Sequence, residues 1–231
     1  MPLADAIRPR TLDEVCGQKH LLAKGAPLRR IIESGHVPSL IFYGPPGTGK
    51  TTLADILAAI TNKQFFRLNA TTASLSDVKD ALDASGTLAG MGGTLLYIDE
   101  LQYFNKRQQQ SLLEYMEDGR VTLVGSTTEN PYFAIYGAIL SRATVFEFRP
   151  LTPEDIMPAL RRGMEYLCAE YGAKDCDDSV LSAIAGYSGG DVRKALTALE
   201  NTYYASGSAL DRETALQFTQ RSGMRFDKDG N

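Results

Sequence analysis

Eight consecutive residues, Gly44-Pro45-Pro46-Gly47-Thr48-Gly49-Lys50-Thr51, carry the densest chemical signal in the chain. They lie between a short apolar run, Ser39 to Tyr43, and a helix-period run from Thr52 to Leu57. That order reads as strand, glycine-rich turn, helix. A phosphate chain concentrates negative charge, so its binder needs backbone N–H groups turned inward and no side chains in the way. Glycines at 44, 47 and 49 permit that curl, and the helix beyond them adds the partial positive charge of its N-terminus. Lys50 has the reach for β- and γ-phosphates, and the Thr51 hydroxyl suits Mg²⁺. With Thr52 in the first helical turn, these residues imply a nucleoside triphosphate site. A plain glycine turn does not account for all eight positions and both flanks.

A second group lies about fifty residues downstream. Thr94 to Ile98 is apolar without alternation, as expected of a parallel strand covered on both faces. It ends in Asp99-Glu100, at the edge where open α/β sheets bind ligands. One carboxylate is needed to hold Mg²⁺, the role expected of Asp99. Another, here Glu100, orients and deprotonates the attacking water. The competing reading is a solvated acidic turn, which the complete phosphate loop upstream disfavours.

The elements that position these groups follow from pattern. Leu3 to Gln18 is expected to be irregular but packed. Leu21 to Ser34 reads as one helix closed by Gly35, and Gln64 to Asn69 as a second strand. Ser74 to Ala84 is expected to be helical, and the glycine-rich stretch 86–93 a surface linker. Arg107 to Glu117 should form a helix stopped by Gly119. Val121 to Ser126 and Thr144 to Phe148 are two more strands, with a short helix before Ser141-Arg142. After Pro150 the pattern changes. Thr152-Pro153-Glu154-Asp155 is a helix start with a cap, a proline and first-turn acids. Helices are expected at about 153–171, 178–187, 190–205 and 211–221. Strands alternating with helices, then helices alone, predict an α/β domain over 1–150 and a small all-helical domain over 151–231.

Several stretches together resemble one family. GPPGTGKT, LLYIDE, LVGSTTENP and LSRA are similar to the AAA+ ATPases, in the branch of clamp loaders and Holliday-junction motors. More narrowly, the segment Arg8 to Gln18, Phe104-Asn105-Lys106 with Gln109, Thr127 to Pro131, and Gly190 to Glu200 resemble the RarA/MgsA family. These are replication-associated recombination proteins, bacterial relatives of the Werner-helicase-interacting ATPase. The resemblance covers essentially the whole chain. It implies a P-loop AAA+ core with a five-stranded parallel sheet flanked by helices, a helical lid, ATP and Mg²⁺ as cofactors, and ATP hydrolysis. It also implies action on DNA at stalled or damaged replication forks, as single-stranded ends or forked structures. A homo-oligomer of the full-length protein and single-stranded-DNA-binding protein as a possible partner come with it.

By position, the resemblance places Val15, Gly17 and Gln18 near the adenine. Thr128, or its neighbour Thr127, would be the polar sensor between the acids and the γ-phosphate. Asn69 resembles the residue that restrains the catalytic glutamate. Arg142 resembles an arginine finger acting on nucleotide of the neighbouring subunit, and Arg193 the second sensor arginine of the lid. Each has a plainer competitor: a turn cap for Asn69, turn hydrogen bonds for the threonines, a surface ion pair or solvated helix residue for the arginines. Two departures stand out. Gln102 occupies a position where the family usually has histidine, and 86–93 replaces an often arginine-bearing stretch. The family continues into an oligomerising helical domain, so the chain is expected to be an ATPase core and lid from a longer protein or a natural short form.

Composition bounds the alternatives. The 231 residues are 43 % hydrophobic and 23 % charged, enough for a substantial core. A net charge of −4 gives no whole-molecule attraction to nucleic acid. No apolar run approaches the roughly 20 residues that span a bilayer, and the N-terminus lacks a secretory pattern, so no membrane association and a cytoplasmic location (nucleoid or fork, by resemblance) are expected. Cys16, Cys168 and Cys176 lack paired spacing and read as reduced. His20 and His36 lie far apart and suggest no metal site. Two other classes compete with an ATPase machine: a nucleotide-binding structural subunit of a clamp-loader-like assembly that does not turn over, and a small-molecule kinase.

Overall fold

The computed structural model describes residues 1–85, 93–117, 119 and 121–220. The linker reading of the glycine-rich stretch falls almost wholly on 86–92, outside the described residues. Elements in chain order are α1 (Leu3–Ala6), α2 (Lys19–Leu22), α3 (Pro27–Glu33), β1 (Leu40–Tyr43), α4 (Lys50–Thr61), β2 (Gln64–Asn69), α5 (Leu75–Ser85), β3 (Thr94–Asp99), α6 (Lys106–Glu117), β4 (Val121–Thr127), α7 (Pro131–Ala134), α8 (Gly137–Leu140), β5 (Thr144–Glu147), α9 (Pro153–Tyr171), α10 (Asp178–Tyr187), α11 (Val192–Ala205) and α12 (Arg212–Gln220). Short 3₁₀ turns cover Leu12–Glu14 and Leu101–Tyr103.

The chain divides into two compact units. One comprises Arg10–Pro45 and Gly49–Arg149; the other comprises Met1–Pro9, Pro46–Thr48 and the chain from Pro150 onward. The first holds the expected five-stranded parallel sheet, in the order β2-β3-β4-β1-β5. Its central strands β1, β3 and β4 are buried on both faces, so alternate residues feed two cores. Leu40, Phe42, Leu95, Tyr97 and Val124 pack on one side with α2, α3 and α4, through Leu22, Leu28, Leu53 and Leu57. Ile41, Leu96, Ile98 and Leu123 pack on the other with Val78 of α5, Leu112 of α6 and Ile139 of α8.

The single helix expected over 21–34 is instead two. Gly25 takes φ +82°, and Pro27 opens α3 at its first position. Proline has no N–H to continue a helix but fits the first turn, so it restarts the element rather than extending it. The segment 3–18 is also more ordered than expected, with α1 and a 3₁₀ turn.

Among the described residues the second unit is helical, with one isolated β-bridge between Asp175 and Ala209. Thr152 and Asp155 form a full capping box at the start of α9, each side chain accepting from the other's backbone N–H. The N-terminal helix belongs here: the Leu3 N–H donates to Glu200 of α11, and Leu3 is buried.

Candidate active site

The strand order explains why distant sequence groups meet. β4 lies between β1, which leads into the glycine-rich loop, and β3, which ends in the acids. All strands are parallel, so their carboxyl ends share one edge.

The loop leaves β1 at Gly44, with φ +140°, where an added Cβ would lie 2.0 Å from the Phe148 carbonyl oxygen. Only glycine fits there. Gly47, with φ +67°, is equally constrained, since its Cβ would meet the Asp191 carboxylate at 1.8 Å. Asp191 caps α11 by accepting from the Arg193 and Lys194 N–H groups, and the Val192 N–H donates to the Gly47 carbonyl. Arg193 therefore starts its helix beside the loop residue Gly47, with its side chain exposed.

Lys50 is 7 % exposed, and its Nζ donates to the Gly44 and Pro45 carbonyls, each at 2.7 Å. The ammonium is thus folded across the mouth of its own loop. Thr48 is buried, Pro45 and Pro46 are exposed, and Thr51 and Thr52 are half-buried in the first turn of α4.

Thr51 and the acids are joined by a group that the sequence reading did not single out. The Tyr97 hydroxyl lies 3.1 Å from Thr51 Oγ1 and 3.2 Å from Asp99 Oδ1, and bonds Ser126 Oγ at 3.0 Å. Ser126 Oγ also donates to Asp99 Oδ1. Tyr97 is fully buried, and burial, with the Asp99 charge adding to it, pushes its phenol above the ordinary range. It stays protonated at neutral pH and remains a donor. The available signal was a tyrosine in an otherwise aliphatic strand, since a buried phenol needs a partner. Its partners depend on the β3–β4 pairing, which the residues alone do not give.

Glu100 follows β3 in the left-handed conformation, φ 55°. For a non-glycine residue this costs about 1–3 kcal/mol, and such residues gather at functional sites. Its Oε2 accepts from Gln102 Nε2 and from Thr128 Oγ1, the latter at 3.3 Å. Thr127 is fully buried, with its hydroxyl accepting from the Glu129 N–H at 3.0 Å. Of the two threonines, Thr128 is the one that reaches the acids.

Other residues lie apart from this cluster. Asn69 pairs in register with Asp99, but its Oδ1 accepts from the N–H and hydroxyl of Thr71, closing a turn of its own chain. Arg142 pairs with Glu117 at 2.6 Å and donates to the Ala138 carbonyl. Val15 is buried, and its Cγ1 lies 3.5 Å from the Cβ position of Gly49. Gln18, 4 % exposed with φ 52°, uses both ends of its amide on the Arg149 backbone, donating to its carbonyl at 2.8 Å and accepting from its N–H at 3.0 Å. Gly17, φ 60°, makes the preceding turn.

The donor set fits a triphosphate and a hard cation. Thr51 and Asp99 offer oxygen ligands beside a loop of turned backbone, and Mg²⁺ takes few protein ligands because phosphates and water supply the rest. Among the described residues, no group of three or more His, Cys, Asp or Glu could hold a metal by itself.

Residues 40–151 match the family model described as ATPase family associated with various cellular activities (AAA). With this sheet and loop, the chain has the fold of an AAA domain. Its relatives are narrower. Replication-associated recombination protein A of Escherichia coli (strain K12) is 44 % identical over 202 residues, covering 86 % of this chain and 45 % of that protein. The protein of that name from Haemophilus influenzae is 38 % identical over 238 residues, covering all of this chain and 53 % of its own length. The chain is related along its length to replication-associated recombination protein A, and spans about half the length of the curated relatives it matches. ATPase WRNIP1 of Dictyostelium discoideum is 34 % identical, covering all of this chain and 29 % of that protein. Among solved structures, the Thermotoga maritima RuvB Holliday junction branch migration motor superposes with a TM-score of 0.75 at 24 % identity, over 93 % of this chain and 72 % of that one. This last likeness concerns the fold alone.

Proposed function

We propose that this protein hydrolyses ATP with Mg²⁺ and couples the cycle to DNA at stalled or damaged replication forks. The observation that carries the hydrolytic part is the Thr51–Tyr97–Asp99 hydrogen-bond network, which ties the phosphate loop to the acidic strand end. Residues 44–52 hold the triphosphate, and Lys50 neutralises its terminal groups. Thr51 and Asp99 hold Mg²⁺, which when bound offsets charge on the phosphate oxygens. Glu100 takes the proton of the attacking water, and Thr128 fixes its carboxylate. Val15, Gly17 and Gln18 border the base. With the division expected near residue 150, the sheet-bearing unit serves as the ATPase domain and the helical unit, which includes residues 1–9, as its lid, with Arg193 answering the nucleotide. Asn69 restrains Glu100 once its turn with Thr71 is released.

Arg142 acts on nucleotide held by a second subunit. Its present ion pair is exposed on both sides, 43 % and 52 %. Such pairs contribute at most about 1 kcal/mol and are easily exchanged for a phosphate. Arg142→Ala is expected to lower turnover, with ATP affinity and melting temperature unchanged. Mixing that variant with Lys50→Ala should restore activity, since one supplies the intact site and the other the arginine. Co-assembled subunits with no recovery would contradict action in trans.

The DNA part is supported by the names and extent of the related proteins. Single-stranded-DNA-binding protein at the fork and a homo-oligomer belong to the same reading, as does a cytoplasmic location at the nucleoid. No helix among the described residues is long and apolar enough to cross a membrane. The test is the ATPase rate with single-stranded ends, forked duplex and plain duplex. Stimulation by ends or forks is expected; an equal rate with all three and with none would count against a DNA-coupled cycle.

A further inference from the structure

The carboxylate of Glu100 is held by a residue that the family resemblance leaves without a role. Gln102 stands two positions on, in the 3₁₀ turn Leu101–Tyr103, and its Nε2 donates to Glu100 Oε2. The same Nε2 lies 3.4 Å from Thr128 Oγ1, which itself donates to Glu100 Oε2. Three side chains from the ends of two adjacent strands thus close a small ring. Only the amide NH₂ can face a carboxylate, because the amide oxygen would repel it, so chemistry fixes which way this glutamine points.

The turn that carries Gln102 is locked from below. Leu101 is fully buried, and its Cδ2 lies 2.8 Å from where a Cβ on residue 125 would be. Gly125 of β4 leaves that space, and Leu101 fills it. The left-handed backbone at Glu100 then sets the direction of both side chains. One more feature marks the arrangement. Gln102 Oε1 is buried and makes no hydrogen bond among the described residues. A buried acceptor without a donor is unfavourable, and rotating the side chain outward would relieve it. The charge-assisted bond to Glu100 is what holds it in place.

We propose that Gln102 is a positioning residue for the Glu100 base, holding Oε2 so that Oε1 faces the attacking water. Among the described residues, the side-chain hydrogen bonds to this carboxylate all fall on Oε2. A fixed oxygen and a fixed direction are what proton abstraction requires, since small displacements of a catalytic group are costly in rate. This inference rests on the reading of Glu100 as the base.

The test is steady-state ATP hydrolysis by Gln102→Leu, which keeps the volume and removes the donor, with nucleotide affinity measured alongside. kcat is expected to fall about tenfold or more, with KM, ATP affinity and melting temperature essentially unchanged. Gln102→His, which returns an N–H donor to the position, should recover most of the loss. An unchanged or raised kcat, a matching rise in KM, or no recovery with histidine would overturn the proposal. Glu100→Gln, run beside it, separates the two readings. Normal turnover there removes the base and this inference with it. A stalled Glu100→Gln beside an undiminished Gln102→Leu removes the positioning role alone.

Discussion

Glu100→Gln is expected to bind ATP as tightly as the parent chain and to hydrolyse it at least about a hundredfold more slowly, the usual scale of a positioned base. The substitution suits the question because the site's geometry survives it. Gln102 Nε2 and Thr128 Oγ1 both donate to Oε2, and an amide oxygen at the same place accepts both bonds. Backbone strain at residue 100 is unchanged, since glutamine and glutamate share their stem. What disappears is the capacity to take a proton from water. The phosphate loop lies on another strand, so affinity should hold. Equilibrium binding and single-turnover hydrolysis read the two quantities separately, and normal turnover would remove Glu100 as the base.

Lys50→Ala is expected to abolish useful ATP affinity. The Lys50 ammonium is buried within the loop and bonded to the Gly44 and Pro45 carbonyls. Transferring those bonds to phosphate oxygens brings unit charges together in a poorly solvated place, where an interaction of about 4 kcal/mol is the appropriate scale. Lost, that is at least about a hundredfold in affinity. The melting temperature of the free chain checks that the loop still folds, because the alanine also removes the two carbonyl contacts. Unchanged affinity in a folded variant would mean that residues 44–51 are not the site.

Much of this site was legible because its signals are local. A loop of glycines, lysine and threonine between a strand and a helix, or two acids closing an apolar run, is visible within a dozen residues. The capped start of α9 was equally plain, and Thr152 and Asp155 make the bonds their types suggest. What stayed hidden depends on register and on side-chain geometry. Tyr97 meets Ser126 because β3 pairs with β4, and it meets Thr51 because α4 lies against β3. Thr128 is distinguished from Thr127 by which of them turns inward at the end of β4. Gln102 gave only a departure from the family pattern that the sequence resembles, whereas its bond to Glu100 follows from a left-handed turn. Leu21 to Ser34 carried an apolar period strong enough to suggest one helix, yet Pro27 restarts the backbone whatever the pattern on either side.

The central claim is that one triphosphate site is built jointly from the loop at 44–51 and the acids ending β3. A crystal structure with Mg²⁺ and a non-hydrolysable ATP analogue tests it most directly. The terminal phosphate is expected in contact with Lys50 Nζ, the cation held by Thr51 with Asp99 behind it, and the Glu100 carboxylate turned toward the γ-phosphate. A triphosphate seated elsewhere, or one in the loop with Asp99 and Glu100 directed away from it, would contradict the account.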